Sequence, residues 1–280
     1  MCQRLIDEPL SLHTSFRIGG PARLFLVPQS IQQLVCALTL FPGAKLLGKG
    51  TNVLPPDEGV DVVINTLGLD RFYFDNDSLV SEAGAQLSKL CIEAAERGLS
   101  GLEFAYGIPG TIGGAVYMNA GAYGGQICDV IDWVEFFDGE RVMLASRDQL
   151  YFSYRDSVFK RNGWVVLRVC LRMVKSDSKL IRSRMEQIMR KRIETQPLDL
   201  PSAGSFFKRP KPNFYVGKAI EELGLKGYRI GDAQISTKHA GFIVNLGSAT
   251  AKDVLTLAEV VKRLVQEKFN VTLEPEVDVW

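Results

Sequence analysis

The chain has 280 residues, 46% of them hydrophobic and 23% charged, with 33 Lys and Arg against 32 Asp and Glu. A net charge of +1 excludes the basic footprint of a nucleic-acid partner, no apolar run is long enough for membrane insertion, and no apolar signal core opens the chain, so the expected location is cytoplasmic. Five scattered cysteines (Cys2, Cys36, Cys91, Cys128, Cys170) without a C-x-x-C pair, and only two histidines (His13, His239), exclude a disulfide framework and predict no metal site.

Mixed helix and strand signals then run along the chain. Ser30 and Gln33 form a capping-box start for a helix with Leu34, Val35 and Leu38 on one face. Leu46-Leu47 reads as a strand entering a glycine turn, and Val62-Val63-Ile64 as another strand. A helix from about Leu87 to Arg97 carries Leu87, Leu90, Cys91, Ala94 and Ala95 on one face and ends at Gly98. Val134 to Phe137 with Asp138-Gly139 reads as strand and turn. Leu167, Val169, Leu171 and Met173 alternate with Arg168 and Arg172, the period of a half-buried strand. Ser178 to Arg192 reads as a helix with Ile181, Met185, Ile188 and Met189 inward. Pro197 and Pro201 open a linker. Ile235 and Phe242 to Val244 read as strands, and Thr250 caps a helix carrying Val254, Leu257, Ala258, Val261, Leu264 and Val265.

Two segments carry the first functional signal. One is Gly48-Lys49-Gly50-Thr51-Asn52-Val53; the other runs from Gly107 through Pro109-Gly110-Thr111, Gly113-Gly114 and Asn119-Ala120-Gly121. Glycine admits φ > 0 and close approach, and successive free N–H groups form an anion nest. Neither segment is G-x-G-x-x-G or G-x-x-x-x-G-K-[ST]. Taken alone, such glycines serve turns and packing as readily as a ligand. Two loops rich in hydroxyl and amide residues favour a diphosphate.

The second loop resembles the flavin diphosphate loop of UDP-N-acetylenolpyruvoylglucosamine reductases. The first resembles their Gly-x-Gly-[Ser/Thr]-Asn turn. His13 to Ala22, Tyr154-Arg155-Asp156-Ser157, Ser202-Ala203-Gly204-Ser205-Phe206-Phe207-Lys208 and Leu273-Glu274-Pro275-Glu276-Val277 resemble further signatures of that family, in order and from about Leu10 to Val277.

The resemblance implies an α+β fold, a two-subdomain FAD-binding architecture of the vanillyl-alcohol-oxidase-like type with a C-terminal α+β substrate-binding domain. Its implied boundaries are 1–174 for FAD, in subdomains of about 1–56 and 57–174, then 175–272 for a UDP-sugar, and 273–280 as a segment returning to the active site. It implies FAD and NADPH as cofactors, UDP-N-acetylglucosamine enolpyruvate as substrate, a monomer, and the loop residues above as cofactor contacts.

The resemblance also assigns the chemistry. Hydride reaches the methylene carbon of the enolpyruvyl group, and charge builds on the adjacent carbon and its carboxylate. Arg155 then binds the carboxylate in two-pronged fashion. Glu276 sits on the same group and must carry or share a proton to donate to it. Ser205 delivers the proton to the enolate carbon. Standing alone, Arg155 would read as an ion-pair residue, Ser205 as a turn or cap residue, and Glu276 as a solvated carboxylate with Glu274 its rival. Tyr154, Lys208 and Arg209 are implied substrate contacts. Arg192 and Gln196 precede the linker and are weaker candidates to reach the UDP group, with a solvated helix end the favoured reading, and His239 reads as structural.

Three departures stand out. Arg209 replaces the family's usual asparagine. Pro55-Pro56-Asp57 interrupts the segment after Asn52-Val53-Leu54 and stiffens it. The chain has no room for the tyrosine-bearing lid of the longer family branch. The alternative reading is another FAD-dependent oxidoreductase of the same fold, acting on a sugar or alcohol.

Overall fold

The alternating and capped segments become mixed helix and strand throughout the computed structural model, which describes residues 2–280. Among the described residues seven α-helices form: α1 (Ile31–Leu40), α2 (Leu87–Glu96), α3 (Ile112–Tyr117), α4 (Val158–Asn162), α5 (Ser178–Thr195), α6 (Val216–Glu222) and α7 (Ala251–Phe269). The chain divides into two compact units. The first takes the chain up to Leu5, then Phe25–Lys49 and Val62–Lys191; the second takes Ile6–Leu24, Gly50–Asp61 and Arg192–Trp280.

The first unit is built on a five-stranded antiparallel sheet in the order Val142–Ser146, Ile131–Phe137, Val165–Arg172, Ser78–Glu82, Phe72–Asp75. Its core joins α2, α3 and the sheet through residues such as Leu87, Leu90, Ile112, Val116, Val134 and Val169. The alternation in 165–172 predicts one buried face. Cys170, on the other face, is buried too, and a register shift against Glu135 and Phe136 turns Val166 into the same core as Val169. Arg168 makes a two-pronged bond to Glu135, at 2.6 and 3.0 Å. Arg71 grips the buried Glu82 in the same way, at 3.2 and 2.8 Å.

α1 starts one step differently from its sequence pattern. Ser30 Oγ accepts from Gln33 N at 3.3 Å, but the Gln33 side chain accepts from Gln29 N at 3.0 Å rather than from the cap residue. α2 buries the five residues read from its spacing.

The second unit carries a four-stranded antiparallel sheet in the order Ser202–Ser205, Phe242–Asn245, Ala233–Ile235, Arg229–Ile230. α7 packs on it through Val254, Leu257, Val261 and Val265, all buried; each such side chain contributes roughly 1.5–3 kcal/mol of burial. The helix begins with a full capping box between Thr250 and Asp253. Asp57, from the Pro55-Pro56-Asp57 departure, adds a second cap. Its carboxylate accepts from Ala251 N at 2.7 Å and from Lys252 N at 3.1 Å, where the helix dipole favours negative charge. Replacing Asp57 by alanine is therefore expected to lower unfolding stability by about 1 kcal/mol, the ordinary worth of a cap. Urea denaturation checks this; an unchanged midpoint would show the cap to be redundant.

A further four-stranded sheet has the order Gln3–Pro9, Pro21–Val27, Val60–Asn65, Lys45–Leu47, and the last pair is parallel. All five cysteines are free, with Cys91, Cys128 and Cys170 buried. Burial pushes the Cys91 thiol up to about 12, which makes it inert at neutral pH. Among the described residues no helix is long and apolar enough to cross a membrane, and no cluster of His, Cys, Asp and Glu could hold a metal ion.

Candidate functional site

The candidate residues fall into two sets, one in each unit. In the first unit the turn at Gly48-Lys49 meets the long glycine loop. Gly48 lies so near Thr111 that a Cβ there would stand 2.7 Å from Thr111 Oγ1. Lys49 Nζ donates to Gln86 Oε1 at 3.0 Å, and Gln86 pairs with Thr111. Thr111 is buried and caps α3, its Oγ1 accepting from Gly114 N at 3.3 Å. Ahead of it, Gly107 and Gly110 take φ of +82° and +142°, and Gly110 O accepts from Leu87 N.

These glycines separate by cause. Gly48 is required by Thr111, and Gly113 by Ala83, whose Cβ would lie 2.7 Å from an added methyl. Gly114 has no such cause. It is exposed, and an added Cβ would meet only Thr111 Oγ1, at 3.5 Å. The protein leaves room there for a side chain, and a flat or phosphate-bearing ligand lying on the loop is what would make a glycine fit.

After α3 the loop turns through Asn119, at φ +43°. Ala120 and Gly121 follow, and Gly121 starts a hairpin with Gln126. The side chain of Asn119, expected as a cofactor contact, is committed within the protein. Its Nδ2 donates to Gln126 Oε1 at 3.0 Å and to Ser153 O at 2.9 Å, and its Oδ1 accepts from Cys128 N at 3.2 Å.

Arg155 sits on a hairpin in the same unit. Phe152–Ser153 pairs with Asp156–Ser157, and Tyr154-Arg155 forms the two-residue connection. Arg155 is half-buried and takes φ +55°, the left-handed region that non-glycine residues avoid. Its guanidinium carbon lies 5.7 Å from the ring centre of the exposed Tyr154. Asp156 accepts from Arg161 Nε at 2.7 Å.

The second unit holds the other set. Gly50 turns at φ +64°, and its carbonyl accepts from Ser15 N at 2.9 Å. Thr51 follows it, half-buried. Asn52 Nδ2 donates to Glu276 O at 3.1 Å, and Val53 pairs in parallel with Asp278. The Ser205 strand runs beside the same terminal segment: Glu276 N donates to Phe206 O at 2.8 Å, and Lys208 N donates to Glu274 O at 2.9 Å. Ser205 and Glu276 are thereby held on adjacent chains. Glu276 is half-buried, whereas the Glu274 side chain is 75% exposed and pairs with Lys208 Nζ at 3.5 Å. Arg209 lies over the ring of Tyr215, 4.6 Å from its centre.

Two supports were not read from the sequence. Ser15 Oγ donates to Ser202 O at 2.6 Å, tying the signature segment to the serine strand across 187 positions, a contact that local spacing does not signal. Arg192, read as part of a solvated helix end, is buried and donates to Gln196 Oε1 at 3.2 Å. The expectation fails for Arg192 alone, since Ile193, Glu194 and Thr195 beside it are exposed. His239 Nδ1 accepts from Gly241 N at 3.1 Å, and burial pushes its imidazole below the usual range, so it stands as a neutral brace before the strand that pairs with Ser205.

Comparison with known proteins was consistent along the whole chain. Residues 196–280 match the family described as UDP-N-acetylenolpyruvoylglucosamine reductase, C-terminal domain, and residues 22–142 match a FAD binding domain. The chain is 58% identical to the UDP-N-acetylenolpyruvoylglucosamine reductase of Pseudothermotoga lettingae, covering 100% of this chain and 98% of that protein. It is 50% identical to the enzyme of the same name from Thermotoga maritima, over 98% and 97%. The crystal structure of the Thermus caldophilus enzyme superposes with a TM-score of 0.85 at 39% identity, over 100% and 99% of the two chains.

Proposed function

The chain belongs to the UDP-N-acetylenolpyruvoylglucosamine reductase family, an FAD-binding oxidoreductase, and from that premise we propose that it reduces UDP-N-acetylglucosamine enolpyruvate to UDP-N-acetylmuramate for peptidoglycan precursor synthesis, with NADPH as the reductant. When bound, FAD would supply hydride transfer from NADPH to the methylene carbon of the enolpyruvyl group. The glycine turns at 48–53 and 107–121 would hold the cofactor's diphosphate through backbone N–H groups, with Thr111 fixing the loop and the Asn119 side chain committed within the protein. Gly114 fits this role, because nothing in the protein excludes a side chain there.

Arg155 binds the substrate carboxylate, where negative charge accumulates, and its fixed fork stabilises the enolate-like transition state. Ser205 gives its hydroxyl proton to the carbon that carried that charge. Glu276 donates a hydrogen bond to the same carboxylate in its protonated form. Tyr154, Lys208 and Arg209 contact the remainder of the substrate. The observation that carries this reading is the pairing of 206–208 with 274–276. It keeps a hydroxyl and a carboxyl on neighbouring chains and leaves Glu274 to an exposed ion pair.

An anaerobic absorbance experiment tests the proposal. The purified protein with FAD is expected to show a flavin spectrum that NADPH bleaches and that UDP-N-acetylglucosamine enolpyruvate restores. Bleaching without restoration would discard the substrate, and absence of flavin binding would discard the loop assignment.

A further inference from the structure

Arg155 holds a backbone conformation that a bulky residue does not adopt by preference, at φ +55°. Such a conformation persists only when its surroundings over-determine it. The hairpin around it is too short to do so alone, with two paired residues on each side. Two side-chain bonds fasten its strands from outside the hairpin, and they lead to one stretch of chain. Asn119 Nδ2 donates to Ser153 O at 2.9 Å, holding the strand that enters the turn. Ser157 Oγ donates to Tyr117 O at 2.7 Å, holding the strand that leaves it. Tyr117 and Asn119 close α3, the helix that opens at Thr111 on the glycine loop.

The carboxamide of Asn119 has no freedom to do anything else. Both its amide hydrogens go to carbonyl oxygens, Gln126 Oε1 and Ser153 O, while its oxygen takes the Cys128 N–H. A flipped amide would set its oxygen against two acceptors and its nitrogen against a donor, so only one orientation satisfies the network. The residue is 2% exposed, and a buried amide that lost these partners would be left with unpaid desolvation. Its own φ of +43° aims the carboxamide across to the hairpin instead of along the loop.

The geometry points to Asn119 as a positioning residue for Arg155: a strut between the glycine loop and the arginine turn, in place of the cofactor contact that resemblance assigns to it. This rests on Arg155 acting on the substrate, as proposed above. The strut sets where the guanidinium stands relative to the loop, so it governs the step in which the substrate carboxylate is held. It has no part in reduction of the cofactor by NADPH. Misplacing a charge-stabilising group by about 1 Å slows a reaction by roughly a hundredfold.

Asn119→Gly tests this, since glycine tolerates the positive φ and only the side-chain bonds are lost. In single-turnover absorbance measurements with FAD bound, bleaching by NADPH is expected to change less than about threefold, while restoration by the enolpyruvyl substrate slows roughly 10- to 100-fold. In an Arg155→Ala background the same substitution is expected to add little, because the strut then has nothing to aim. Equal slowing of both half-reactions, or loss of FAD binding, would overturn the proposal and return Asn119 to the cofactor. Undiminished slowing in the Arg155→Ala background would overturn it too, by showing a general structural role. Should Arg155→Ala alone leave restoration unchanged, the assignment of Arg155 itself fails, and the strut falls with it. If Asn119→Gly does not fold, Ser157→Ala cuts the second fastening and is read against the same outcomes.

Discussion

Ser205→Ala is expected to leave bleaching of the bound flavin by NADPH near its normal rate and to slow reoxidation by the enolpyruvyl substrate by roughly 10²–10⁴-fold, the usual worth of a positioned proton donor. The argument is chemical first. Hydride arriving at the methylene carbon leaves an enolate carbon basic enough to take a proton from a hydroxyl, which ordinary water-exposed serines never surrender at neutral pH. It is structural second. Ser205 closes a strand that pairs with Phe242, and the next residue is hydrogen bonded on both sides, its N–H to Gly241 O and its carbonyl to Glu276 N. The hydroxyl is therefore carried on a fixed backbone. Removing one oxygen costs that backbone nothing, so the thermal midpoint of the variant should match the parent. Rapid single-turnover kinetics decides the matter. Two half-reactions that both stay near the parent rate would mean that the proton comes from elsewhere.

Arg155→Lys is the second large effect. Lysine keeps the positive charge and loses the planar fork that meets a carboxylate with two parallel bonds. A loss of roughly 10²–10³-fold in kcat is expected, the scale seen when one preorganised charge-stabilising donor is removed, with NADPH oxidation by the flavin half-reaction preserved. Steady-state kinetics with both substrates varied checks it. A rise in KM alone, with kcat unchanged, would show that the arginine holds the ground state and the transition state equally and contributes only to binding.

The helices were legible where their information is local. α2, ended by Gly98, and α7, opened by Thr250, announce themselves by a stripe at 3.6 spacing on which their buried residues lie; α1 opens at Ser30 as read but buries Leu34 and Ala37, with Val35 and Leu38 only half-buried. The strand 165–172 was legible as a strand but not in its irregularity, since alternation gives no sign of the register shift that turns Val166 into the core beside Val169. The contacts that organise the candidate site were beyond such reading. Asp57 meets Ala251 across 194 positions, and Asn52 meets Glu276 across 224. A carboxylate after two prolines looks like a stiff turn until the helix it caps is seen. Asn119 looked like one more polar residue of a glycine loop, because nothing in the spacing says that its partners are Ser153 and Cys128.

The second unit is assembled from three separate stretches, 6–24, 50–61 and 192–280, and its strand 278–279 lies in parallel beside 53–54. That arrangement has a consequence for the order of assembly during synthesis. The first unit has all its long segments once Lys191 is made, and it can begin to close while the remainder is still being translated. The second unit must keep its first two stretches waiting, with Phe16, Ile18 and Leu54 unsheltered, until the chain beyond 273 emerges. At the usual 5–20 residues per second, some 200 residues separate the two partners, a delay of roughly ten seconds or more. The segment that brings Glu276 into place also ends that exposure, so a ribosome stalled late on this message would leave a sticky, half-built nascent chain.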